Sequence, residues 1–369
     1  MPVFWWYLLK NYLRVFLLCV VSFIAILLVV RLEEIAQFAT IGAKPSYIFF
    51  FTLYQIPYIL PIAIPISCLI SAWILFQRLS HTHELTALRA GGLGLHTLTA
   101  PILIAGAFLG LTTFYIASEM ATASHLATRK MVYDLTSVNP LVLLQSAKIA
   151  KLKNAFVQMD PIRNGQEAQD LVIAVNDSSG KRLNVCLAKR LELSGKDLMA
   201  KQVSLISCAP SLAKWDHLII ENQKNMSSEA PQFASLLRKA GWKIANDHLK
   251  FSLLRARMAH LRSENHQEPK TLRVLHKCQT EMIRRLSIGL CAFTFTLVGI
   301  AFGMEISRNG SKRAIFCVLL LTALSLISFC IAKELGHRFI LASALFLMPH
   351  VVMIGVSSWT LSRLNRGIE

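Results

Sequence analysis

The sequence predicts an α-helical membrane protein with six transmembrane helices plus a periplasmic antiparallel β-jelly-roll-like domain. First, the chain of 369 residues is 54% hydrophobic with a mean hydropathy of +0.49, and its apolar residues are gathered into long runs. Second, these runs form two groups, separated by a long stretch with the composition of a soluble domain. Third, basic residues are distributed unevenly between the two sides of the membrane that the runs define.

The apolar runs are long enough to cross a bilayer. A hydrocarbon layer of about 30 Å requires about 20 mostly apolar residues per helix. A window of that length finds six candidate spans in this chain. They cover residues 12–32, 47–76, 95–118, 285–304, 314–333 and 339–361. We therefore predict an integral membrane protein with one large extramembrane domain.

Lys and Arg in the short segments set the predicted orientation. With both termini in the cytoplasm, nine of these residues lie inside and four outside, and basic residues resist translocation. The inside residues are Lys10, Arg14, Arg78, Arg89, Arg308, Lys312, Arg313, Arg363 and Arg366. The outside residues are Arg31, Lys44, Lys333 and Arg338. The domain between the third and fourth spans then lies in the periplasm of a bacterial inner membrane.

Residues 119–281 are predicted to form a β domain with flanking helices, between helices 1–3 in residues 1–118 and helices 4–6 in residues 282–369. Turn signals separate several runs rich in Val, Ile and Leu. The predicted strands are Ala147–Met159, Asp170–Asn176, Arg182–Leu191, Leu198–Cys208 and Asp216–Asn222. Strands at this spacing are typical of an antiparallel sandwich or jelly roll. A disulfide between Cys186 and Cys208 stays open.

Several function classes are disfavoured by what the chain lacks. It contains no Walker A pattern and no GxSxG motif. The middles of the apolar runs contain no Asp or Glu, and ion-coupled carriers usually need an ionisable group there. This favours an external energy source. His81, His83 and Glu84 are weak metal candidates, because further ligands at fixed spacing are missing. We predict no catalytic residue, no metal and no cofactor.

The predicted periplasmic domain is basic, with 24 Lys and Arg against 15 Asp and Glu in residues 119–281. On that side of the membrane we expect no nucleic acid. An anionic lipid or acidic partner and a solvated basic surface both stay open. Arg31 and Lys44 bracket the outer end of the first hairpin, where a cation either snorkels to ordinary phospholipid or binds a phosphorylated substrate.

Three prolines mark the second apolar run. Pro57, Pro61 and Pro65 recur every four residues and share one helix face. Proline removes backbone hydrogen bonds, and a membrane tolerates this only where neighbours or water satisfy the freed groups. Two compatible interpretations follow: a packed, kinked helix, or a bent helix that lines a cavity or lateral gate.

The most informative stretch is the polar, helix-prone insert from Gln77 to Gly92. It lies between two apolar runs on the predicted cytoplasmic side. A small helix held there, at about 80–92, suits a permease that must sense the movement of an ATPase docked below it. The predicted function is therefore coupling rather than chemistry.

The sequence from Glu84 to Gly92, Glu-Leu-Thr-Ala-Leu-Arg-Ala-Gly-Gly, and the order of spans and β domain resemble the LptF/LptG lipopolysaccharide export permeases (YjgP/YjgQ family). Arg284-Arg285-Leu286 and Leu347-Met348-Pro349-His350 are similar to that family too. Two positions depart from it: Ser287 falls in a segment where the family commonly has a proline, and His350 follows Pro349 where asparagine is usual.

The resemblance implies a mechanism and a set of partners. Two paralogous LptF/LptG subunits pair around a cavity, and an LptB-type ATPase dimer grips the coupling helix of each. ATP binding then expels lipopolysaccharide into periplasmic jelly rolls, which pass it to LptC/LptA-type proteins.

The resemblance also implies residue roles. Glu84 would face a basic residue of the ATPase, and Leu85 and Leu88 would fill its groove. Arg89, Ala90 and Gly91 complete the coupling motif. Arg31 matches a basic position that meets lipid A phosphates, and Lys44 is a weaker candidate.

Two alternatives come from other classes. Another ABC permease, such as a lipoprotein-releasing subunit, usually has four spans with the large domain after the first. A membrane-anchored envelope scaffold or sensor would not need a coupling helix or a proline-rich second span.

Overall fold

The computed structural model describes residues 2–40, 45–138, 149–151, 155–163, 167–176, 183–194, 197–209, 217–229, 246–263, 269–304 and 312–366. These residues form two compact units. The helical unit comprises Met1–Val30, Tyr54–Leu126 and Ile244–Glu369. The sheet unit comprises Arg31–Leu53 and Ala127–Lys243.

The helices follow the apolar runs of the sequence. They are α1 (Pro2–Val30), α2 (Leu32–Thr40), α3 (Pro45–His81), α4 (Glu84–Ala90), α5 (Leu95–Tyr115), α6 (Ala121–Val138), α7 (Phe251–Ser263), α8 (Pro269–Gly303), α9 (Lys312–Glu334) and α10 (Phe339–Asn365). A π-helical turn, Ile116–Met120, joins α5 to α6, and a 3₁₀ turn, Asn246–His248, precedes α7. Six helical segments among the described residues are long and apolar enough to cross a membrane, which confirms the predicted number of spans.

The fourth membrane helix begins well before the predicted position. Prediction placed it at residues 285–304, whereas α8 begins at Pro269. Arg284 and Arg285 lie three and four positions after Glu281, and both pair with its carboxylate. Pairs at this spacing stabilise a helix, so the charged segment continues the apolar one.

Helix α8 packs closely against α3 and α5 because glycine lies at the contacts. A Cβ atom on Gly299 would lie 2.6 Å from the carbonyl oxygen of Leu69 on α3. A Cβ atom on Gly110 of α5 would lie 2.8 Å from the carbonyl oxygen of Gly289. Small residues allow helix backbones in a membrane to approach, and the gain in van der Waals contact stabilises the helix pair.

The sheet unit contains a six-stranded antiparallel sheet whose strands follow sequence order. The strands are β1 (Ile149–Lys151), β2 (Ala155–Arg163), β3 (Glu167–Asn176), β4 (Leu183–Ser194), β5 (Asp197–Ala209) and β6 (His217–Glu229). Four predicted strands correspond to β3–β6. The fifth, Ala147–Met159, was wrong as a single strand, because Lys151 pairs with Phe156 across a β1–β2 hairpin. The antiparallel β domain is confirmed, and its jelly-roll form stays a prediction.

On one face of the sheet, the buried side chains of β3 and of β4 are spaced three residues apart instead of the usual two. Leu171 and Ala168 share the core face, as do Ala188 and Leu191 on the next strand, although each pair is three residues apart. Asp170, between the first two, has a φ of 50°. A residue in this left-handed region breaks the strict alternation of a strand. This accounts for the three-residue spacing of Ala168 and Leu171 on the core face.

The register of β4 and β5 separates the two cysteines of the β domain. Cys186 lies opposite Leu205, three residues from Cys208. Three residues of strand span about 10 Å and end on the opposite face, which is too far for a disulfide. Cys186 is a free thiol, and burial raises its pKa.

Candidate functional site

The predicted coupling segment folds into a short, sharply bounded helix. Helix α3 ends at His81, and His83 takes a left-handed conformation, with φ 58°, just before α4 begins at Glu84. At the other end Gly92 has φ 83°. Its N–H and that of Leu93 donate to the carbonyls of Arg89 and Leu88, which forms a Schellman motif. The two boundaries reverse the chain tightly and fix the orientation of α4.

One side of α4 belongs to the core of the helical unit. Leu85 is 3% exposed. It belongs to a buried cluster whose other members come from α1, α3, α5 and the end of α8, and they are Leu8, Tyr12, Ala72, Leu75, Phe76, Leu79, Leu95, Leu98, Ile102, Ile300 and Met304. Leu88 is partly buried against the same cluster. The burial of Leu85 disagrees with the implied role in which its side chain fills a groove of the ATPase, and instead joins α4 to a core shared with four long helices.

Polar contacts hold α4 to both termini of the described helical unit. The Glu84 carboxylate accepts hydrogen bonds from the Tyr7 hydroxyl of α1, at 3.5 Å, and from the Thr82 hydroxyl, at 3.2 Å. Arg89 donates from its guanidinium to the carbonyl oxygen of Leu364 in the last turn of α10, at 3.2 Å. A cation is favourable there because the carbonyl end of a helix carries partial negative charge.

The other side of α4 is exposed. Thr86, Ala87 and Ala90 are all exposed, and Gly91 continues that surface beyond the helix. The six predicted coupling residues thus separate into two groups. Ala90 and Gly91 face outward, whereas Leu85 lies inside and Glu84, Leu88 and Arg89 contact the rest of the chain.

The three prolines of the predicted kink or gate lie inside the continuous helix α3. Pro61 and Pro65 are buried and line a cavity of about 300 Å³ within the helical unit, together with Tyr58 and Ile62. Pro57 is not among the lining residues. Two of the three prolines thus border a cavity.

Of the two predicted phosphate-binding residues, Arg31 and Lys44, the structure describes only Arg31. Arg31 directly precedes α2 and pairs with the Glu34 carboxylate of the first turn of α2. Arg31 is 31% exposed and Glu34 49% exposed, and such surface pairs contribute only about 0–1 kcal/mol. An anion could therefore replace Glu34 at little cost. Lys44, the other candidate, lies outside the described residues.

Sequence reasoning missed the most deeply buried charge among the described residues. Arg285 of α8 is fully buried, and it donates to the Glu281 carboxylate at 2.8 Å. It also donates to backbone carbonyls of two segments of the helical unit that precede and follow the sheet unit in sequence. These are the carbonyls of Ser118, Asn246, Asp247 and Leu249, at 3.4, 3.3, 3.4 and 2.8 Å. The spacing of Glu281, Arg284 and Arg285 was the signal that could have indicated a helical charge cluster.

The two positions that depart from the family pattern contact each other. Ser287 of α8 donates to the carbonyl of Phe346, and its hydroxyl lies 2.8 Å from Nε2 of His350 on α10. Nδ1 of His350 lies 3.1 Å from the Thr294 hydroxyl. A neutral imidazole that donates from Nε2 and accepts at Nδ1 satisfies all three side chains. The departures therefore form one polar contact between α8 and α10.

The helices, the short polar helix and the β domain together define a class of protein. Six apolar helices that can span a membrane, a polar helix between the second and third, and an inserted β domain describe a multi-pass membrane protein. The family model for the lipopolysaccharide export system permease LptF/LptG matches residues 6–363, and the chain belongs to this family. It is thus an inner-membrane permease component for lipopolysaccharide export. No curated protein matches the chain.

Proposed function

We propose that this chain is the permease subunit of an ABC transporter that extracts lipopolysaccharide from the outer leaflet of the inner membrane. ATP hydrolysis in a separate LptB-type dimer would drive the extraction. The observation that carries this proposal is that α4 has one buried side and one exposed side. Leu85 packs into a core shared with four long helices, while Thr86, Ala87 and Ala90 remain exposed. A partner that grips the exposed side can therefore move the membrane helices.

The coupling mechanism requires an effector that distinguishes two states. A ligand shifts a conformational equilibrium only by its differential affinity for the two conformations. In the proposed mechanism ATP supplies this difference through the partner. Glu84 would meet a basic residue of the ATPase, Leu85 and Leu88 would support the docking surface from within, and Arg89 would connect it to α10 through Leu364.

The proposed topology places both termini and α4 in the cytoplasm, with residues 119–281 as a periplasmic jelly-roll domain between membrane segments 1–118 and 282–369. A lipid with several acyl chains cannot cross water unshielded, because each exposed methylene costs about 0.8 kcal/mol. A bridge of LptC/LptA-type proteins would continue the shielded path. An exposed edge supports this part of the proposal: β6 is the last described strand of the sheet, and Leu218 and Ile220 on it are 61% and 57% exposed.

Lipid entry would use the outer half of the helical unit, together with a paralogous LptF/LptG subunit. Arg31 and Lys44 are the proposed contacts with lipid A phosphates. The weak Arg31–Glu34 pair supports this role, because the guanidinium can exchange one anion for another. Pro61 and Pro65 border a cavity, which supports a bent α3 that contributes to the gate, with Pro57 one turn earlier.

The test is a Glu84→Ala variant, reconstituted with its ATPase and partner subunit in proteoliposomes. We expect ATP hydrolysis to continue while lipopolysaccharide release falls about tenfold, which corresponds to about 1.4 kcal/mol of lost coupling. Glu334→Ala, an exposed glutamate at the end of α9, is the matched control and should leave release unchanged. Full release by Glu84→Ala would contradict the coupling role.

Affinity purification in mild detergent tests the partners separately. Recovery of a small ATPase, a second permease and lipid A would support the exporter. Recovery of the chain alone, even after cross-linking at position 84, would favour an envelope scaffold.

A further inference from the structure

The cavity within the helical unit has one polar and one apolar end. Residues of α3, α6, the 3₁₀ turn, α8, α9 and α10 surround its volume of about 300 Å³. This lies at the lower end of the range of ligand pockets. The polar end contains Tyr58, His125, Asp247, His248, Arg284 and Lys333. The rest of the lining, called the apolar end, is mainly apolar, with Ile62, Ile66, Phe295, Leu326, Phe329 and Phe346, and it also includes the polar side chains of Thr122, Ser287, Ser325 and His350.

The polar end carries a net positive charge. Arg284 binds both oxygens of Glu281, each at 2.6 Å, and Arg285 binds the same carboxylate at 2.8 Å. Two guanidinium groups therefore share one carboxylate. Asp247 balances the second guanidinium, and the exposed Lys333 adds one further cation. A cationic ligand is disfavoured at this end and an anion is favoured.

Aromatic and imidazole rings form the wall beside these charges. The rings of Tyr58 and His125 meet edge to face at 5.7 Å, and those of His125 and His248 are 3.8 Å apart. These three rings line the cavity together with Arg284 and Lys333. A carboxylate or phosphate placed here would meet the positive charge of those two side chains.

The apolar end is long, closed at its far end and open at the side. From Arg284 to Phe295 helix α8 rises about 16 Å. Beyond Ile66 and Phe295, packed side chains close the cavity, and Leu69, Val298, Val318, Leu321 and Met353 form their buried core. At the side, Ile62 of α3 and Leu326 of α9 are 55% and 58% exposed. Both lie in membrane-spanning helices, so this opening faces hydrocarbon.

We propose that this cavity binds one acyl chain of an anionic amphiphile, with its carboxylate or phosphate beside Arg284 and Lys333. The acyl chain enters between Ile62 and Leu326 and lies along Phe295 and Phe329. An acyl chain that leaves bilayer hydrocarbon gains no hydrophobic free energy, because it moves from one apolar medium to another. Selectivity must therefore come from the headgroup charge. Binding at this site does not depend on transport.

Photolabelling of the full-length chain in lipid nanodiscs tests the site. The probes are palmitic acid, phosphatidylglycerol and phosphatidylcholine, each with a diazirine on the acyl chain, and labelled peptides are located by mass spectrometry. We expect the anionic probes to label residues 325–333 of α9 and 284–295 of α8 about tenfold more than phosphatidylcholine does. Labelling by palmitic acid alone would identify a free carboxylate ligand, and labelling by phosphatidylglycerol alone a membrane phospholipid. Either supports the proposal.

Two variants and one control substitution make the result specific to the cavity. Ser325→Phe fills the cavity from α9, and labelling should fall about tenfold. Ala323→Phe adds the same ring on the exposed side of α9 and should change nothing. Lys333→Gln, at an exposed position, should remove most of the preference for anionic probes.

Equal labelling by phosphatidylcholine, labelling unaffected by both Ser325→Phe and Lys333→Gln, or no label in these segments would overturn the proposal. None of these outcomes bears on the Glu84 test, which measures release rather than labelling.

Discussion

The two halves of the helical unit are held together by different interactions. In the packed half, residues 69–79 of α3 meet residues 299–303 of α8, through apolar side chains and two glycines that bring the backbones into contact. In the cavity half, residues 58–66 of α3 and 284–295 of α8 both border the cavity, which has polar side chains along its wall. The same two helices thus change their mode of contact along their length.

The difference indicates a division of labour. Closely packed interfaces do not deform continuously, so in the proposed mechanism the packed half would pass a displacement of α4 on to the long helices. Hydrogen bonds between membrane helices average about 0.6 kcal/mol, so uncharged contacts of the cavity half, such as that of Ser287 with His350, can be exchanged at low cost. Proline in α3 lowers that cost further, because backbone hydrogen bonds are already missing there.

The largest expected effect comes from the buried charge of the cavity half. Arg285→Met should lower the free energy of unfolding by about 3–5 kcal/mol, because Glu281 loses one partner and four carbonyls lose a donor. Thermal unfolding in detergent, followed by tryptophan fluorescence, measures this. Arg284→Met is the comparison: Arg284 is 24% exposed, so its loss should cost less. Equal losses would show that burial of Arg285 has no special importance.

The packed half should respond to a single methyl group. Gly299→Ala would place a Cβ atom 2.6 Å from a backbone oxygen, and we expect a loss of about 1–3 kcal/mol. Gly355→Ala on α10 is the matched control, because a Cβ atom there meets nothing within 4 Å. It should be neutral or stabilise by up to about 1 kcal/mol. If both variants behave alike in thermal unfolding, close packing is not what distinguishes this half.

The smallest effect concerns the polar contact between α8 and α10. A double-mutant cycle of Ser287→Ala and His350→Ala should give a coupling energy of about 0.6 kcal/mol and at most about 1.7 kcal/mol. Urea or thermal unfolding of the four proteins measures it. A coupling energy above that range would mean that the cavity half is held as firmly as the packed half.

The sequence predicted what depends on composition and local pattern. Apolar runs gave the six spans, and turn signals gave strands β3–β6 to within a few residues at most boundaries. The short helix α4 was predicted because a polar, helix-prone insert between two spans is unusual, and its coupling role stays a prediction. Its two-sided character was not predicted, since Leu85 and Leu88 look alike in sequence and only packing shows that Leu85 is the more buried.

What escaped prediction depends on contacts between distant segments. Arg285 was treated as the edge of a span, because a window of hydropathy cannot show that residues 246–249 return to meet it. The sequence did not predict which strand residues face the core of the sheet. Asp170 and Gln202 adopt positive φ values, of 50° and 54°, and no residue pattern in the strands indicates these values. The cavity is formed by residues from several separate helices, and only the prolines of α3 hinted at it.

The π-helical turn at residues 116–120 fixes the azimuth of the residues that follow it. Each residue of an α-helix advances about 100° around the axis, and a π turn accommodates one residue more than an α turn. Thr122 and His125, which line the cavity, follow this extra residue. A one-residue deletion in the turn would rotate the first residues of α6 by about 100° and direct a different set of side chains at the cavity. The number of residues in the π turn, and not only their chemical nature, therefore determines which side chains of α6 point to the cavity.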